Sequence, residues 1–136
     1  MTDAQPAALR DLMPFAQLIG VELLEATADL VVGRMEWSAE RCTAGGILHG
    51  GALMSLADSC GAISAFLNLP QGAAGTGTIE SKTNFLRSVS DGAVTAESRP
   101  LHAGRTTVVV ETTIARADGK LAAKVIQTQA VNYPRP

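Results

Sequence analysis

The sequence predicts an α+β domain in which one long helix packs against a curved antiparallel sheet. Three observations support this class. One uninterrupted helical pattern covers residues 50–67. Four later segments alternate with the period of two that is typical of strands, and the turns that join them are short. Strands joined by short turns run antiparallel, and a helix that is apolar nearly all round must be covered on most sides.

The chain before the long helix is predicted to form short helical turns and then a hairpin. The apolar spacing in 7–18 indicates one or two helical turns, interrupted at Pro14. Two extended segments follow at 21–28 and 30–37, and a polar loop at 38–47 leads to the long helix.

The long helix and the last four strands carry the clearest patterns. One apolar stripe runs along the helix at the expected spacing: Leu53, Leu56, Cys60, Ile63 and Leu67. The strands are predicted at 76–85, 93–101, 106–115 and 120–132. Asp118-Gly119 predicts a tight turn between the last two, and the sequences at 90–92 and 103–104 mark the other connections.

Length and composition indicate one globular domain over residues 1–136, with its core at about 15–132. The net charge is -2 and no basic stripe is present, so a nucleic-acid partner is not expected. The first 15 residues lack the pattern of a secretory signal, and no apolar run of about 20 residues predicts a membrane span. Two cysteines are too few for a disulfide framework, so we expect a cytoplasmic protein.

Asp58 is the one charged residue between Arg41 and Glu80, and it lies in the middle of the long helix. Burying a single carboxylate costs several kcal/mol unless it is paired or protonated. Small residues on the same helix face, among them Gly51, Ser55 and Ala62, would leave room for a ligand. Asp58 is therefore a candidate catalytic group. The alternative is a structural carboxylate that accepts hydrogen bonds or faces solvent at the helix edge.

The helix begins at the sequence His49-Gly50-Gly51, which is a candidate oxyanion site. A helix N-terminus presents unpaired N–H groups, and glycine allows a ligand to approach the backbone closely. A simple tight turn is the alternative. Gly50 and Asp58 are eight residues apart, or roughly 12 Å along the axis, too far for one carbonyl to reach both. Two antiparallel helices from two chains would bring them together, which predicts a two-fold dimer with shared sites.

Four segments resemble the PaaI-like acyl-CoA thioesterases of the hotdog-fold superfamily: GGILHGGALMSLADSCGA, TNFLRSV, LHAGRTTVVVE and DGKLAAKVIQTQAV. The resemblance covers about residues 15–132, and the combination of these motifs is more specific than any one of them. It implies a hotdog fold, in which a curved antiparallel sheet surrounds one long helix. It also implies dimers with two active sites at the interface, and pairing of dimers into tetramers.

The resemblance also implies roles for four residues. Asp58 matches the catalytic acid of the family, and Gly50 matches the glycine whose backbone N–H polarises the thioester carbonyl. His49 matches the histidine beside the substrate carbonyl or thiolate. Thr43 stands where the family usually has Asn or Gln, and it can donate only one hydrogen bond.

The predicted reaction is hydrolysis of an acyl-CoA, with Asp58 as general base or as nucleophile. Coenzyme A is expected only as part of the substrate, without a further cofactor. The candidate substrate-binding residues are Gly51, Met54, Asn84, Arg87, His102, Gly104 and Arg105. The two arginines would contact phosphate, to which Gly104 would offer its backbone N–H. The acyl group, aromatic or medium-chain, would contact Leu53, Met54, Ile63 and Phe66.

Two other functions remain open from the sequence. One is a hydratase or dehydratase with the same fold that acts on acyl-CoA or acyl carrier protein, and it would need a differently placed His/acid pair. The other is a non-catalytic acyl-CoA-binding protein, which Thr43 and Ala62 favour, because some members of the family have a polar residue at the position of Ala62. No metal site is predicted, because the two histidines and two cysteines do not have ligand spacing.

Overall fold

The computed structural model describes residues 6–136, so the first five residues of the predicted domain lie outside it. Two short helices come first, followed by two strands, the long helix and four more strands. Their bounds are α1 Pro6–Asp11, α2 Pro14–Leu18, β1 Glu22–Ala26, β2 Val31–Glu36, α3 Gly50–Leu67, β3 Gly75–Phe85, β4 Ala93–Ala103, β5 Thr107–Ala115 and β6 Leu121–Asn132. The predicted α+β class is confirmed, and the predicted long helix has the observed bounds.

The six strands form one sheet in the order β1-β2-β4-β5-β6-β3, and every neighbouring pair is antiparallel. Helix α3 lies against this sheet, with Leu53, Leu56, Cys60 and Ile63 buried. This is the helix-and-sheet arrangement of the hotdog fold. The apolar stripe of α3 therefore forms the core that the helical spacing predicts.

One predicted connection is different in the structure. The segment at 90–92 does not join neighbouring strands, because β3 pairs with β6 at one edge of the sheet whereas β4 lies between β2 and β5. The chain crosses over two strands between β3 and β4. Alternation and turn residues identify strands and their ends, but they do not determine which strand lies beside which.

Helix α3 packs tightly against the sheet at Gly33 of β2. A Cβ atom at Gly33 would lie 2.3 Å from Cys60 Sγ, so only glycine leaves space for this thiol. Cys60 is fully buried and is a free thiol. Burial raises the pKa of the Cys60 thiol from its ordinary 9.0 to about 12, because the surroundings solvate the thiolate poorly.

The opposite face of α3 is only partly covered by its own chain. At 100° per residue this face carries Gly51, Ser55, Asp58, Ala62 and Phe66. Asp58 is exposed, and 47% of Phe66 is accessible. The expectation of a buried carboxylate is therefore wrong for the single chain, because the sheet covers only one side of the helix. By length and composition α3 would also suit a membrane span, but half of it is buried within the protein.

Candidate active site

Asp58 lies at the edge of a hollow of about 290 Å³ between α3 and β3. Its Oδ1 accepts a hydrogen bond from Thr78 Oγ1 at 2.8 Å and another from Gln127 Nε2 at 2.9 Å. No donor among residues 6–136 reaches Oδ2. Both structural alternatives raised by the sequence are thus present, since the carboxylate accepts hydrogen bonds and faces solvent, and one oxygen remains available to a ligand. The other lining residues are Gly51, Met54, Ser55, Thr78 and Ser81.

Thr78 and Gln127 were not among the predicted site residues. Gln127 lies 69 positions from Asp58 in the chain, on β6, and its side chain is fully buried. A signal was present in the sequence: Gln127 and Gln129 occupy inward-facing positions of a strand whose other inward positions, such as Val125 and Val131, are apolar. Polar residues at core positions of a strand indicate either a function or a buried partner.

The two glycines at the start of α3 have different roles. His49 is the N-cap residue, and its Nδ1 accepts the N–H of Gly51 at 2.8 Å. The Gly50 N–H has no acceptor within the described part of the chain, because the first N–H groups of a helix lack intrahelical partners. The free donor therefore belongs to Gly50, the residue predicted to polarise the carbonyl. Gly51 is needed for a different reason, since a Cβ there would lie 2.9 Å from His49 Nδ1.

A cavity of about 410 Å³ lies beside Gly50. It brings together three of the predicted site residues, Thr43, Gly50 and Arg87, with the ring of Phe85 next to Gly50. Arg87 donates from Nη1 to the carbonyl oxygen of Leu121 at 2.9 Å, which holds the guanidinium at the end of β3. This cavity and the Asp58 hollow have no lining residue in common.

The motif at 102–105 lies at the other end of the sheet. Arg87 N donates to Ala122 O at the start of β6, whereas Tyr133 OH, just past its end, donates to Arg105 O. From Ala122 to Tyr133 this separation is roughly 36 Å at about 3.3 Å per residue. One chain therefore does not bring Arg87 and Arg105 together.

Gly104 and Asn84, two further residues predicted to bind substrate, already form hydrogen bonds within the chain. The Gly104 N–H, predicted to bind phosphate, donates to the carbonyl oxygen of Thr107 at 2.9 Å within the β4–β5 turn. His102 is exposed and lies next to Gly104: a Cβ atom at Gly104 would be 2.6 Å from His102 Nε2. Asn84 is exposed on β3 and accepts a hydrogen bond from Lys82 at 2.8 Å.

The side chains predicted to contact the acyl group are distributed over three places. Leu53 lines the cavity beside Gly50, and Met54 lines the Asp58 hollow. Ile63 and Phe66 line a separate apolar pocket of about 150 Å³ between α1 and α3, four residues or more beyond Asp58 along the helix.

Comparison with known proteins places these features in context. A model of the thioesterase superfamily matches residues 45–123. A Saccharolobus solfataricus protein, provisionally named an esterase, is 34% identical over 81% of this chain and 77% of its own length. A thioesterase structure from Haemophilus influenzae superposes with a TM-score of 0.89 at 26% identity, covering 96% of this chain and 92% of the other.

A structure of a hypothetical thioesterase from Streptococcus pneumoniae was solved with coenzyme A. It has a TM-score of 0.76 and 24% identity, and the match covers 86% of this chain and 89% of that one. At this identity the likeness concerns the fold.

Proposed function

The chain belongs to the thioesterase superfamily and is a thioester hydrolase of hotdog fold, and on this premise we propose that it hydrolyses an acyl-CoA at a site shared by two chains. The observation that carries the proposal is the Asp58 carboxylate, which has one oxygen held by two donors and the other facing an open hollow.

Asp58 would act in one of two ways. As general base it takes a proton from water while the water oxygen attacks the carbonyl carbon, and the C–S bond then breaks. As nucleophile its oxygen attacks that carbon directly, and water hydrolyses the resulting anhydride. In both routes the coenzyme A thiolate leaves and then takes up a proton.

Gly50 would supply the oxyanion donor. Its N–H has no acceptor among the described residues and sits at the positive end of the α3 dipole, so it can stabilise the negative charge that develops on the carbonyl oxygen. Thr43 lines the same cavity, where its hydroxyl would add one hydrogen bond. His49 would contact the carbonyl or the departing sulfur through the ring atoms that do not cap the helix.

Two chains would assemble each site. The Asp58 hollow and the Gly50 cavity are separate within one chain, and the face of α3 that carries Asp58 is partly exposed. β3 is a long edge strand that pairs only with β6 in the described part of the chain, and such an edge readily pairs with a second chain. An antiparallel pair of α3 helices would bring Gly50 of each chain to Asp58 of the other.

Coenzyme A is the proposed carrier, which is supported by the presence of coenzyme A in the Streptococcus pneumoniae structure of the same fold. Arg87 and Arg105 are exposed cations that would meet its phosphates, from different chains because of their separation. Apolar acyl groups, aromatic or medium-chain, suit the pocket between α1 and α3. Both cysteines are free thiols, which fits a reducing compartment such as the cytoplasm.

A thiol-release assay with aromatic and medium-chain acyl-CoAs tests the proposal. Asp58→Asn should lower kcat by about a hundredfold or more with little change in KM, since the carboxylate acts in the transition state. Asp29→Asn is the matched control, because Asp29 is also exposed but lies in the β1–β2 turn. Near-normal turnover by Asp58→Asn would exclude the assignment. Tight acyl-CoA binding without thiol release by the unmodified protein would favour the non-catalytic alternative.

A further inference from the structure

We infer that Gln127 and Thr78 are positioning residues, which fix Oδ1 of Asp58 so that Oδ2 is presented to the thioester. The inference rests on the proposed function of Asp58. Gln127 lies on β6 and Thr78 on β3, and the side chains of both reach Asp58 on α3.

The two donors converge on a single oxygen. Thr78 Oγ1 and Gln127 Nε2 lie 2.8 Å and 2.9 Å from Asp58 Oδ1. Thr78 is itself oriented, because Gln129 Nε2 donates to its oxygen at 2.6 Å and thereby directs the Thr78 proton toward Asp58. Thr76 in turn donates to Gln129 Oε1 at 3.0 Å. This chain of donors fixes the rotation of the carboxylate, since turning it would break two charge-assisted hydrogen bonds.

A β-bulge makes this convergence possible. Thr78 pairs with Gln129, but the register then shifts, and Ser81 pairs with Gln127. In a regular strand, positions three apart face opposite sides, whereas both Thr78 and Ser81 here line the Asp58 hollow. A bulge beside a site commonly redirects side chains in this way.

Gln127 is a poor choice for the fold alone. Its side chain is fully buried, and its Oε1 has no hydrogen-bond partner among residues 6–136. A buried acceptor without a partner destabilises the folded state. Gly61 of α3 makes space for this amide, because a Cβ there would lie 2.0 Å from Gln127 Oε1. Gln127 and Gly61 are thus both unfavourable for stability, and both are needed for the hydrogen bond from Gln127 to Asp58. This is the pattern expected where function and stability are in conflict.

Gln127→Met tests the inference because methionine has a similar shape and lacks the amide. We expect kcat to fall about tenfold, the loss of one hydrogen bond to a charged group, with KM within about twofold. The melting temperature should stay equal or rise, since the unpaired Oε1 is removed with the amide. A purely structural role of Gln127 predicts the opposite pattern, with lower stability and unchanged kcat.

Thr78→Val provides the second arm, and it decides the matter if Gln127→Met does not fold. It should also lower kcat about tenfold, and Thr78→Ser, which keeps the hydroxyl, should restore it. Thr83→Val is the control: the Thr83 hydroxyl is on the same strand and has no partner in the described residues, so its loss should leave kcat unchanged.

Asp58→Asn, measured in the same assay, separates the two proposals. If Asp58→Asn is inactive while Gln127→Met and Thr78→Val keep normal kcat, the positioning role is overturned and the catalytic role of Asp58 stands. If Asp58→Asn keeps its activity, the proposed function fails and the positioning role fails with it.

Discussion

The imidazole of His49 closes the first turn of α3 by accepting the Gly51 N–H at Nδ1 across 2.8 Å. In the neutral ring, an acceptor at Nδ1 means that the proton is on Nε2. Of the two glycine N–H groups, the cap therefore binds that of Gly51, whereas that of Gly50 has no acceptor in the described chain. Each residue of the His-Gly-Gly sequence therefore has its own task, and the tasks can be separated by mutation.

Gly50→Pro should remove the proposed oxyanion donor without breaking the helix. Proline is well tolerated at the first helical position, and His49 before it already has φ -63° and ψ 135°, the conformation that proline requires of its neighbour. Relative to Gly50→Ala, which keeps the N–H, we expect kcat to fall about a hundredfold to a thousandfold. Steady-state kinetics of the two variants measure this ratio.

Gly50→Ala is the matched control, because both variants add a Cβ that lies 3.0 Å from the Phe85 ring and only one of them loses the N–H. Their melting temperatures should be similar. Equal kcat values for the two folded variants would exclude the Gly50 N–H as the oxyanion donor.

His49→Ala should destabilise the protein by about 0.5–2 kcal/mol, because the Gly51 N–H loses its cap. His49→Asn should recover most of this stability, since asparagine is among the best N-cap residues. If His49 also contacts substrate, both variants should have low kcat. Urea unfolding and thiol release separate the roles, and full activity in His49→Asn would reduce His49 to a cap.

The sequence predicted the elements well, because their signals are local. Residues 50–67 carry a charge-poor helical stripe, with His-Gly-Gly at its start and Asn68-Leu-Pro after it, and α3 has the predicted bounds. The neighbour of β3 could not be predicted in the same way. The pairing of β3 with β6 depends on contacts between residues about 50 positions apart, for which a strand pattern contains no register.

The candidate site shows the same difference between residues with local sequence signals and residues that the fold brings together. Asp58 and Gly50 stand out in the sequence as an isolated charge and a glycine at a helix start. Gln127 becomes part of the site only through the sheet, and Gly61 is explained only by the amide beside it. The sequence left open whether Asp58 is buried or faces solvent, because helical spacing tells which residues share a face but not whether the same chain covers that face.

Mixing two inactive variants should restore activity if each site takes Gly50 from one chain and Asp58 from the other. Co-expressed Asp58→Asn and Gly50→Pro chains that pair at random would form mixed dimers as half of the population, each with one intact site. About a quarter of the unmodified activity should return. The separately purified variants are the controls, and activity no greater than their sum would place both groups of a site in one chain.

The buried thiol of Cys60 should make stability fall at alkaline pH. Its pKa is raised to about 12 in the folded chain by burial, whereas the unfolded thiol ionises near 9.0. Between these values the folded state binds more protons than the unfolded state, so rising pH favours unfolding. This loss of stability is absent below about pH 9, and its slope approaches about 1.4 kcal/mol per pH unit between the two pKa values.

Cys60→Ala should leave a cavity beside Gly33 and lower stability at pH 7, yet it should flatten the decline above pH 9. Urea unfolding at several pH values compares the two slopes, and identical slopes would mean that the Cys60 thiolate is solvated in the folded chain.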